Sequence, residues 1–495
     1  MSKETEQAIK RLYMPKVFKG REKVIMPISK ELFMKDPLIA LRKYLNQTIG
    51  IFNGNVSDIE TLHEYYLGNQ AIFSKLRKDE SLINNKVVEN HIYKQVNFKV
   101  GFMYGNPLEY TITNEKKIDT DDMTYLNSYL NDVNKASLDI EKAQDLYEFG
   151  VAYQRLIPRR QKLSEYDIES EAPFELVNMP VRQTCVVYSN DIPNEPLFGM
   201  VISDDRNTEN YKPFKTVQIY MPYRRIVYKN NNFVQPIEDI PQPYSYIPIQ
   251  EFCLNKDRIG IIEIGVQLQN LINNIDSSQM DGIEEEINSF IVMINQRVDE
   301  DFINLIKTLK RERVLVLNTQ NPQTPADLKL VSTKLDQGST NQFYERVLKA
   351  LYDIVAVPQA SGNVTSGGDT GQARLLGNGW ESAQNQAQVD QQYLIKYERE
   401  LLKNIIKICK LTEKCPVNEI NASDVAIKFN INMSNNLLVK AEALKMLNEA
   451  LVPEKAILSI CGITKDVDGL GDDWKKNKQN QAQIEQQNNN QGINS

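Results

Sequence analysis

The chain has few of the residues from which metal and catalytic sites are usually built. Its 495 residues include only two histidines, His63 and His91, and five cysteines with no CxxC pair. We therefore expect neither a zinc site nor a disulfide framework, and we predict reduced, buried thiols. The motifs GxSxG and HExxH are also missing, so the sequence offers no signature of a serine hydrolase or a zinc protease.

Long apolar runs and excess positive charge are missing too. No run approaches 18 apolar residues, and the N-terminal stretch has no apolar core of a secretory signal, so no membrane segment is predicted. The net charge of −7 argues against a protein that wraps nucleic acid by neutralising phosphates. It remains compatible with a protein that lets nucleic acid pass without holding it. With 41% hydrophobic and 25% charged residues, the chain is globular, and its length suggests roughly three domains.

What is present is an α+β pattern that is predominantly helical. Helical periodicity is found in stretches on both sides of a central block, residues 151–249, which is rich in Val, Ile, Tyr and Thr and broken by Asn, Asp and Pro. That block is typical of an antiparallel sheet with hairpins. The predicted helices are Asp36–Asn53, a run from Asp58, Val87–Tyr104, two within Asp121–Phe149, Glu263–Phe290, Tyr344–Val357 and Gln372–Leu411.

A small compact unit is predicted between two of these helices, at residues 291–337. It has an apolar piece, a basic helix and two strand-like runs, and the basic helix carries Lys307, Lys310, Arg311 and Arg313. This cluster fits a solvated helix face, or a docking surface for an acidic partner or a phosphate backbone. Near the C-terminus we expect a strand at Val425–Phe429, then two helices, and a disordered polar tail from Lys475.

The insert Ser361–Gly371, SGNVTSGGDTG, lies between two predicted helices and contains four glycines and no lysine. A phosphate-binding P-loop needs a lysine after its last glycine and a strand before it, and both are missing here. We therefore interpret the insert as an exposed, mobile loop rather than a nucleotide site.

Paired carboxylates give no better indication of chemistry. The triplets Glu284–Glu286 and Asp299–Asp301 are consecutive on predicted helices, where neighbouring side chains fan out instead of converging. A solvated face, or an acidic ring in an oligomer, explains them. The two histidines fit ordinary packed or surface positions, and we predict no enzymatic activity, no cofactor and no metal.

Four strings in order resemble tailed-bacteriophage portal proteins, the head-to-tail connectors, of the type found in siphophages of Gram-positive hosts. They are YYLGNQAIF (65–73), VENHIYKQVNFKVGFMYGNPLEY (88–110), IPIQEFCLNKDRIG (247–260) and SGNVTSGGDTGQARLLG (361–377). The third contains a PI-x-EF string with Asn255 soon after it. The resemblance covers about four fifths of the chain.

The resemblance implies the portal fold, a ring-forming chain with wing, stem, clip and crown. The implied segments are an N-terminal extension 1–57, wing 58–257, stem helix 258–290, clip 291–337, second stem helix 338–358, tunnel loop 359–371, long wing helix 372–411, crown 412–474 and a tail 475–495.

The resemblance also implies a function: a channel at one capsid vertex for genome packaging, retention and ejection. Its expected partners are eleven further copies in a dodecameric ring, double-stranded DNA passing without sequence specificity, the packaging terminase, tail adaptor or neck proteins, and the major capsid and scaffolding proteins. No membrane is involved, and the site of action is the virion, assembled in the host cytoplasm. Another virion structural component without a DNA channel is the alternative.

Two sets of site residues follow from this layout. The tunnel-loop set would touch DNA loosely and comprises Gly362, Asn363, Thr365, Ser366, Gly367, Gly368 and Asp369. An acidic channel wall would weaken phosphate attraction and so lower friction, and its candidates are Asp276, Asp281, Glu284, Glu285 and Glu286. The basic cluster of residues 307–313 would be the docking surface of the clip.

Overall fold

The structure, a computed structural model, describes ten stretches of the chain. They are residues 18–76, 83–113, 120–159, 171–206, 213–230, 232–287, 290–294, 327–331, 337–359 and 379–431. Within these stretches the chain forms eight α-helices, one short 3-10 helix and twelve β-strands. The prediction of a mixed, mainly helical α+β chain is confirmed.

The N-terminal part contains one long helix where the sequence predicts two. After the short α1 (Lys30–Lys35), α2 runs without a break over Pro37–Leu67, and a 3-10 turn follows at residues 71–74. Asp36 caps α2, and Gly68 ends it with a left-handed φ of 91°. Two glycines inside α2 cost helix propensity, but its buried face and its two caps hold it continuous.

The helix predicted at Val87–Tyr104 starts four residues later than expected. Helix α3 spans His91–Tyr104, and the side chain of Asn90 caps it by accepting from the Tyr93 N–H. The helix buries apolar residues four positions apart, with Ile92 and Val96 fully buried. Residues 87–90 are extended because backbone N–H groups of this segment donate to side chains of a later helix, residues 261–287, instead of to carbonyl oxygens of a helical turn of their own.

The next two helices lead into the strand block as predicted. Helix α4 covers Thr120–Asp132 and α5 covers Lys135–Phe149, and Gly150 ends α5 with a φ of 77°. A Cβ at Gly150 would lie 2.4 Å from the Arg258 carbonyl carbon and oxygen, so the close approach of these two segments requires glycine.

The strand block forms two antiparallel sheets. Strand β1 (Glu109–Ile112) precedes the block and belongs to neither sheet. The strands of the block are β2 (Val151–Pro158), β3 (Phe174–Met179), β4 (Thr184–Tyr188), β5 (Pro196–Arg206), β6 (Pro213–Met221), β7 (Arg224–Lys229), β8 (Glu238–Pro241) and β9 (Ile249–Cys253). Sequential hairpins give a five-stranded sheet in the order β4-β5-β6-β7-β8. A three-stranded sheet in the order β3-β2-β9 brings the end of the block back to its beginning. The predicted hairpin sheet is therefore confirmed.

Two helices and a strand pair follow the sheets. Helix α6 covers Ile261–Ile287, close to the predicted span, and α7 covers Gln337–Ile354. Between them β10 (Phe290–Ile294) pairs antiparallel with β11 (Asp327–Val331). The long helix α8 covers Trp380–Leu411, and β12 (Val425–Lys428) returns to pair with β1.

The hydrophobic core is one large cluster with a small satellite. The large cluster joins the N-terminal helices, both sheets and α8. The satellite lies between α6 and α7 and contains Ile272, Ile275, Val347 and Leu351. None of the described helices is both long enough and apolar enough to cross a bilayer.

Candidate functional site: the α6–α7 hairpin and its anchors

Helix α6 carries a buried stripe of polar side chains at steps of four residues. Gln269, Asn273 and Ser277 are fully buried, and Asp281 is 2% exposed. Steps of four place side chains on one face of a helix, one above the other. Apolar residues normally fill such a face, so a buried polar stripe requires partners that satisfy it.

The partner of this stripe is the extended segment 83–90, which runs antiparallel to α6. The backbone N–H groups of Asn85, Val87 and Glu89 donate in turn to Asp281 Oδ1 at 2.6 Å, Ser277 Oγ at 2.9 Å and Asn273 Oδ1 at 3.2 Å. Two residues of extended chain span about 6.6 Å, and four residues of helix rise about 6.0 Å. Because these two repeats nearly coincide, each alternate backbone donor meets the next polar side chain.

Further bonds complete this polar zipper, the contact between residues 83–90 and the α6 stripe. Gln269 Nε2 donates to the Glu89 carbonyl oxygen at 2.7 Å, and Asn273 Nδ2 donates to Gln70 Oε1 at 2.5 Å. At the other end, Lys75 Nζ lies 3.2 Å from Asp281 Oδ2. The zipper thus joins the first half of the chain to the helix that precedes the β10–β11 pair.

The apolar satellite core joins α6 to α7 on a different face. Ile272 and Leu351 are fully buried there, and Gly265 lets the two helices approach. A Cβ at Gly265 would lie 2.9 Å from Leu351 Cδ1, closer than real Cβ contacts. The two helices that flank residues 291–337 therefore pack against each other.

The acidic candidates on α6 have different environments. Asp281 belongs to the polar zipper, and its carboxylate is engaged inside the subunit. Glu284 is half-exposed, and its Oε2 accepts a hydrogen bond from Asn85 Nδ2 at 2.9 Å. The side chains of Glu285 and Glu286 lie outside the described residues.

Asp276 lies at the junction of α6, α7 and the segment before α3. Burial, together with the nearby Glu89 carboxylate, raises the pKa of Asp276 to about 6. Glu89 also accepts from Tyr344 Oη on α7 at 2.5 Å, and its Oε1 lies 3.3 Å from His91 Nε2. Burial lowers the pKa of His91, which favours the neutral imidazole. Asp276 thus combines a raised pKa with a place at the helix–helix junction.

A buried cluster of four charges anchors the long helix α8 to α5. Lys135 Nζ lies 2.7 Å from Asp139 Oδ1 and 3.1 Å from Glu398 Oε2, and Lys142 Nζ lies 2.7 Å from Asp139 Oδ1 and bonds to Glu398 Oε1. All four side chains are 5% exposed or less. Burial opposes the charged form of Glu398, but the two lysines outweigh it and hold the pKa of Glu398 well below its ordinary value. Two cations and two anions make the cluster neutral, which is how buried charges are tolerated.

The PI-x-EF string forms a second buried anchor. Glu251 lies on β9 and accepts from Arg258 Nη2 at 2.6 Å, from Tyr188 Oη at 2.5 Å and from Tyr153 Oη at 3.1 Å. Asn255 closes the following turn, since its side chain both accepts from the Ile259 N–H and donates to the Ile259 carbonyl oxygen. The string therefore sets the entry of the chain into α6.

These features meet in one arrangement: a long helix, a strand pair and a second helix packed back on the first, all anchored to a strand-containing body. Residues 45–491 match the family described as phage portal protein, SPP1 Gp6-like. The chain belongs to this phage portal protein family. None of the curated proteins matches it. The resemblance to phage portal proteins read from the four strings is confirmed, and with it the function of a phage portal in genome packaging. The siphophage, Gram-positive-host type stays a prediction.

Several predicted portal features lie outside the described residues. They are the tunnel-loop set Gly362–Asp369, the basic cluster Lys307–Arg313, the helices expected after residue 432 and the polar tail. In the part of the portal chain that is described, no group of three or more His, Cys, Asp or Glu side chains could hold a metal ion. The four described cysteines, at 185, 253, 409 and 415, are free and buried.

Sequence reasoning missed the residues that position the α6–α7 hairpin of this portal protein. The stripe at 269, 273, 277 and 281 was visible as a spacing of four, although polar residues elsewhere along the same helix obscure it. The charge cluster was not, because Glu398 follows Lys135 by more than 250 residues. Only the fold brings such distant charges together.

Proposed function

We propose that copies of this portal chain close into a ring around a channel for double-stranded DNA. The observation that carries the proposal is the packing of α6 on α7 through the satellite core, with β10 and β11 paired between them. A helical hairpin of this kind fits the stem of a portal, and residues 291–337 fit the clip at its end. A copy number of twelve follows from the resemblance.

The other proposed segments follow the same layout. Residues 58–257 would form the wing with its sheets, residues 359–371 the tunnel loop, α8 the long wing helix, and 412–474 the crown inside the capsid. The clip would dock the packaging motor first and tail adaptor proteins later, and capsid and scaffolding proteins would surround the ring. The motor would supply the energy, so the ring itself needs no enzymatic activity.

An acidic channel wall remains part of the proposal for α6. Repeated around a ring, Asp276 and the acids from Glu284 onward would present carboxylates at fixed heights, and like charges there would raise one another's pKa. These carboxylates would repel the phosphates of the passing DNA. The DNA would then move with less friction, because each phosphate contact that it formed with the wall would have to be broken again. Asp281 contributes to the polar zipper in this arrangement rather than to the wall.

Negative-stain images of the purified full chain test the ring directly. We expect rings with a central hole. A chain that stays monomeric at high concentration would refute the proposal. Ile275 on α6 and Val347 on α7 both belong to the satellite core. If the hairpin persists inside the ring, the variant Ile275→Cys with Val347→Cys should form an intrachain disulfide.

A further inference from the structure

The connection between α8 and β12 brings two cysteines together. Cys409 lies on the last turn of α8, and Cys415 follows the end of that helix. The Thr412 N–H donates to the Cys409 carbonyl oxygen at 3.1 Å, and the Cys415 N–H donates to the Thr412 carbonyl oxygen at 3.3 Å. Between them Lys414 has a left-handed φ of 60°, which is uncommon for a residue other than glycine. The chain therefore turns back on itself, and Cys415 reaches Cys409.

The two thiols hydrogen-bond to each other in a buried site. The Cys409 thiol and the Val417 N–H both donate to Cys415 Sγ, and Tyr129 Oη lies 3.9 Å from the same sulfur. The bond from Cys409 is the largest effect on Cys415, and it lowers the pKa of Cys415 although burial acts in the opposite direction. The same bond and burial raise the pKa of Cys409. Cys415 is thus the sulfur on which a thiolate is stabilised, with Cys409 beside it.

The other two described cysteines have different surroundings. Burial and the nearby Glu251 carboxylate raise the pKa of Cys185 and of Cys253. The thiolate is the reactive form of cysteine, so both side chains stay protonated and inert. Cys415 differs from them because hydrogen-bond donors surround its sulfur and a second thiol lies in contact with it.

A small oxidant can reach this pair of thiols. Cys415 is 2% exposed, but its neighbours along the chain, Glu413 and Lys414, are exposed, so the buried thiol lies close to the surface. Helix ends and turns open locally at little cost in free energy. Hydrogen peroxide is not much larger than water, and a brief opening of the turn admits it. The two sulfurs already hydrogen-bond, and they need only move closer to form a bond of about 2.05 Å.

We propose that Cys409 and Cys415 are a redox-active dithiol, which hydrogen peroxide oxidises reversibly to a disulfide. The Cys415 thiolate attacks one oxygen of the peroxide, the O–O bond breaks, and hydroxide leaves and takes up the proton that the thiol lost. The Cys409 thiol then attacks the resulting sulfenic acid, the S–O bond breaks, and a second water leaves. Two thiols and one peroxide thus give one disulfide and two waters, and a thiol reductant such as dithiothreitol reverses the oxidation.

The disulfide would fix the connection that leads from α8 to β12. Asp122 on α4 already holds this connection from one side. Its Oδ2 accepts from the backbone N–H groups of three successive residues, Asn418, Glu419 and Ile420, at 3.0, 2.8 and 3.2 Å. A covalent bond between the two cysteines would hold the connection from the other side, on α8. Oxidation would thus tie α8 to α4 and constrain where the chain enters β12.

Thiol counting on the full chain tests the proposal. A Cys461→Ser background leaves the four described cysteines. After hydrogen peroxide treatment of the native chain, two of these four thiols should resist alkylation, and the mass should fall by about 2 Da because two hydrogens leave. Trypsin cuts after Lys410 and Lys414, so the peptides of the pair should stay joined until dithiothreitol is added. Cys185 and Cys253 are the internal controls and should stay reduced.

Single substitutions separate the roles of the two thiols. In the same background, Cys409→Ser should stop at a sulfenic acid on Cys415 that dimedone traps, whereas Cys415→Ser should leave Cys409 reduced, and circular dichroism checks that each variant is folded. A native chain that keeps all four thiols, under a treatment that oxidises the same chain in urea, would overturn the proposal. Oxidation of Cys185 or Cys253 as fast as that of the pair would overturn it too. If a substitution prevents folding, peptide mapping of the Cys461→Ser chain still decides the matter.

Discussion

Replacing Glu398 by glutamine removes one of the four charges that hold α8 on α5. In the variant, Lys135 and Lys142 would share the single carboxylate of Asp139 in a site with almost no access to water. Leaving a buried charge without its partner typically costs 3–5 kcal/mol. We therefore expect the free energy of unfolding to fall by about 4 kcal/mol at neutral pH.

The effect depends on pH in a defined direction. The lysines hold the pKa of Glu398 below its unfolded value, so its contribution is fully present above that unfolded value of about 4.5 and is lost as the pH falls below it. The difference between the wild type and Glu398→Gln should therefore be large at pH 7 and shrink progressively below about pH 4.5.

Urea unfolding followed by circular dichroism measures this loss. The matched control is Glu400→Gln, two residues further along the same helix and exposed, which should change stability by less than about 1 kcal/mol. The double variant Glu398→Leu with Lys142→Met should recover part of the loss, because Lys135 and Asp139 remain as a neutral pair. Equal, small effects of Glu398→Gln and Glu400→Gln would refute the view that the cluster anchors α8.

Three further predictions concern helix α6 and the tunnel loop, residues 359–371. Ser277→Ala should cost about 1–3 kcal/mol and speed hydrogen exchange at the Val87 amide, which loses its acceptor, whereas Ser278→Ala on the exposed side should do neither. The raised pKa of Asp276 means that its charged form destabilises the fold as the pH rises from about 4 through 6. Because Asp276 is partly exposed, Asp276→Asn should add only about 1 kcal/mol of stability at pH 8, and none at pH 3.5, in urea unfolding; equal gains at both pH values would contradict the assignment. Deleting residues 362–369 should leave rings intact in negative stain but reduce DNA packaging, and loss of rings would make the loop structural instead.

Much of the fold follows from local patterns in the sequence. The helices α4 to α7, the hairpin sheets and β12 were predictable because hydrophobic period and turn residues are read within a short window. Two helix predictions were wrong, the division of α2 into two helices and the start of α3, and each error has an identifiable physical cause. Helix α2 is continuous because two caps and a buried face outweigh two glycines, and α3 starts late because residues 87–90 give their N–H groups to α6.

The sequence by itself determined the α+β composition, the absence of familiar catalytic motifs, and, through four ordered strings, membership of the portal family. Only the tertiary structure decided which polar residues hold the α6–α7 hairpin in place. Asp281 looks like a surface acid in the sequence, yet the fold buries it against Lys75. The physical reason is distance along the chain. The zipper joins residues 180 to 206 positions apart, and Lys142 and Glu398 of the charge cluster are 256 positions apart, so only folding sets which of them meet.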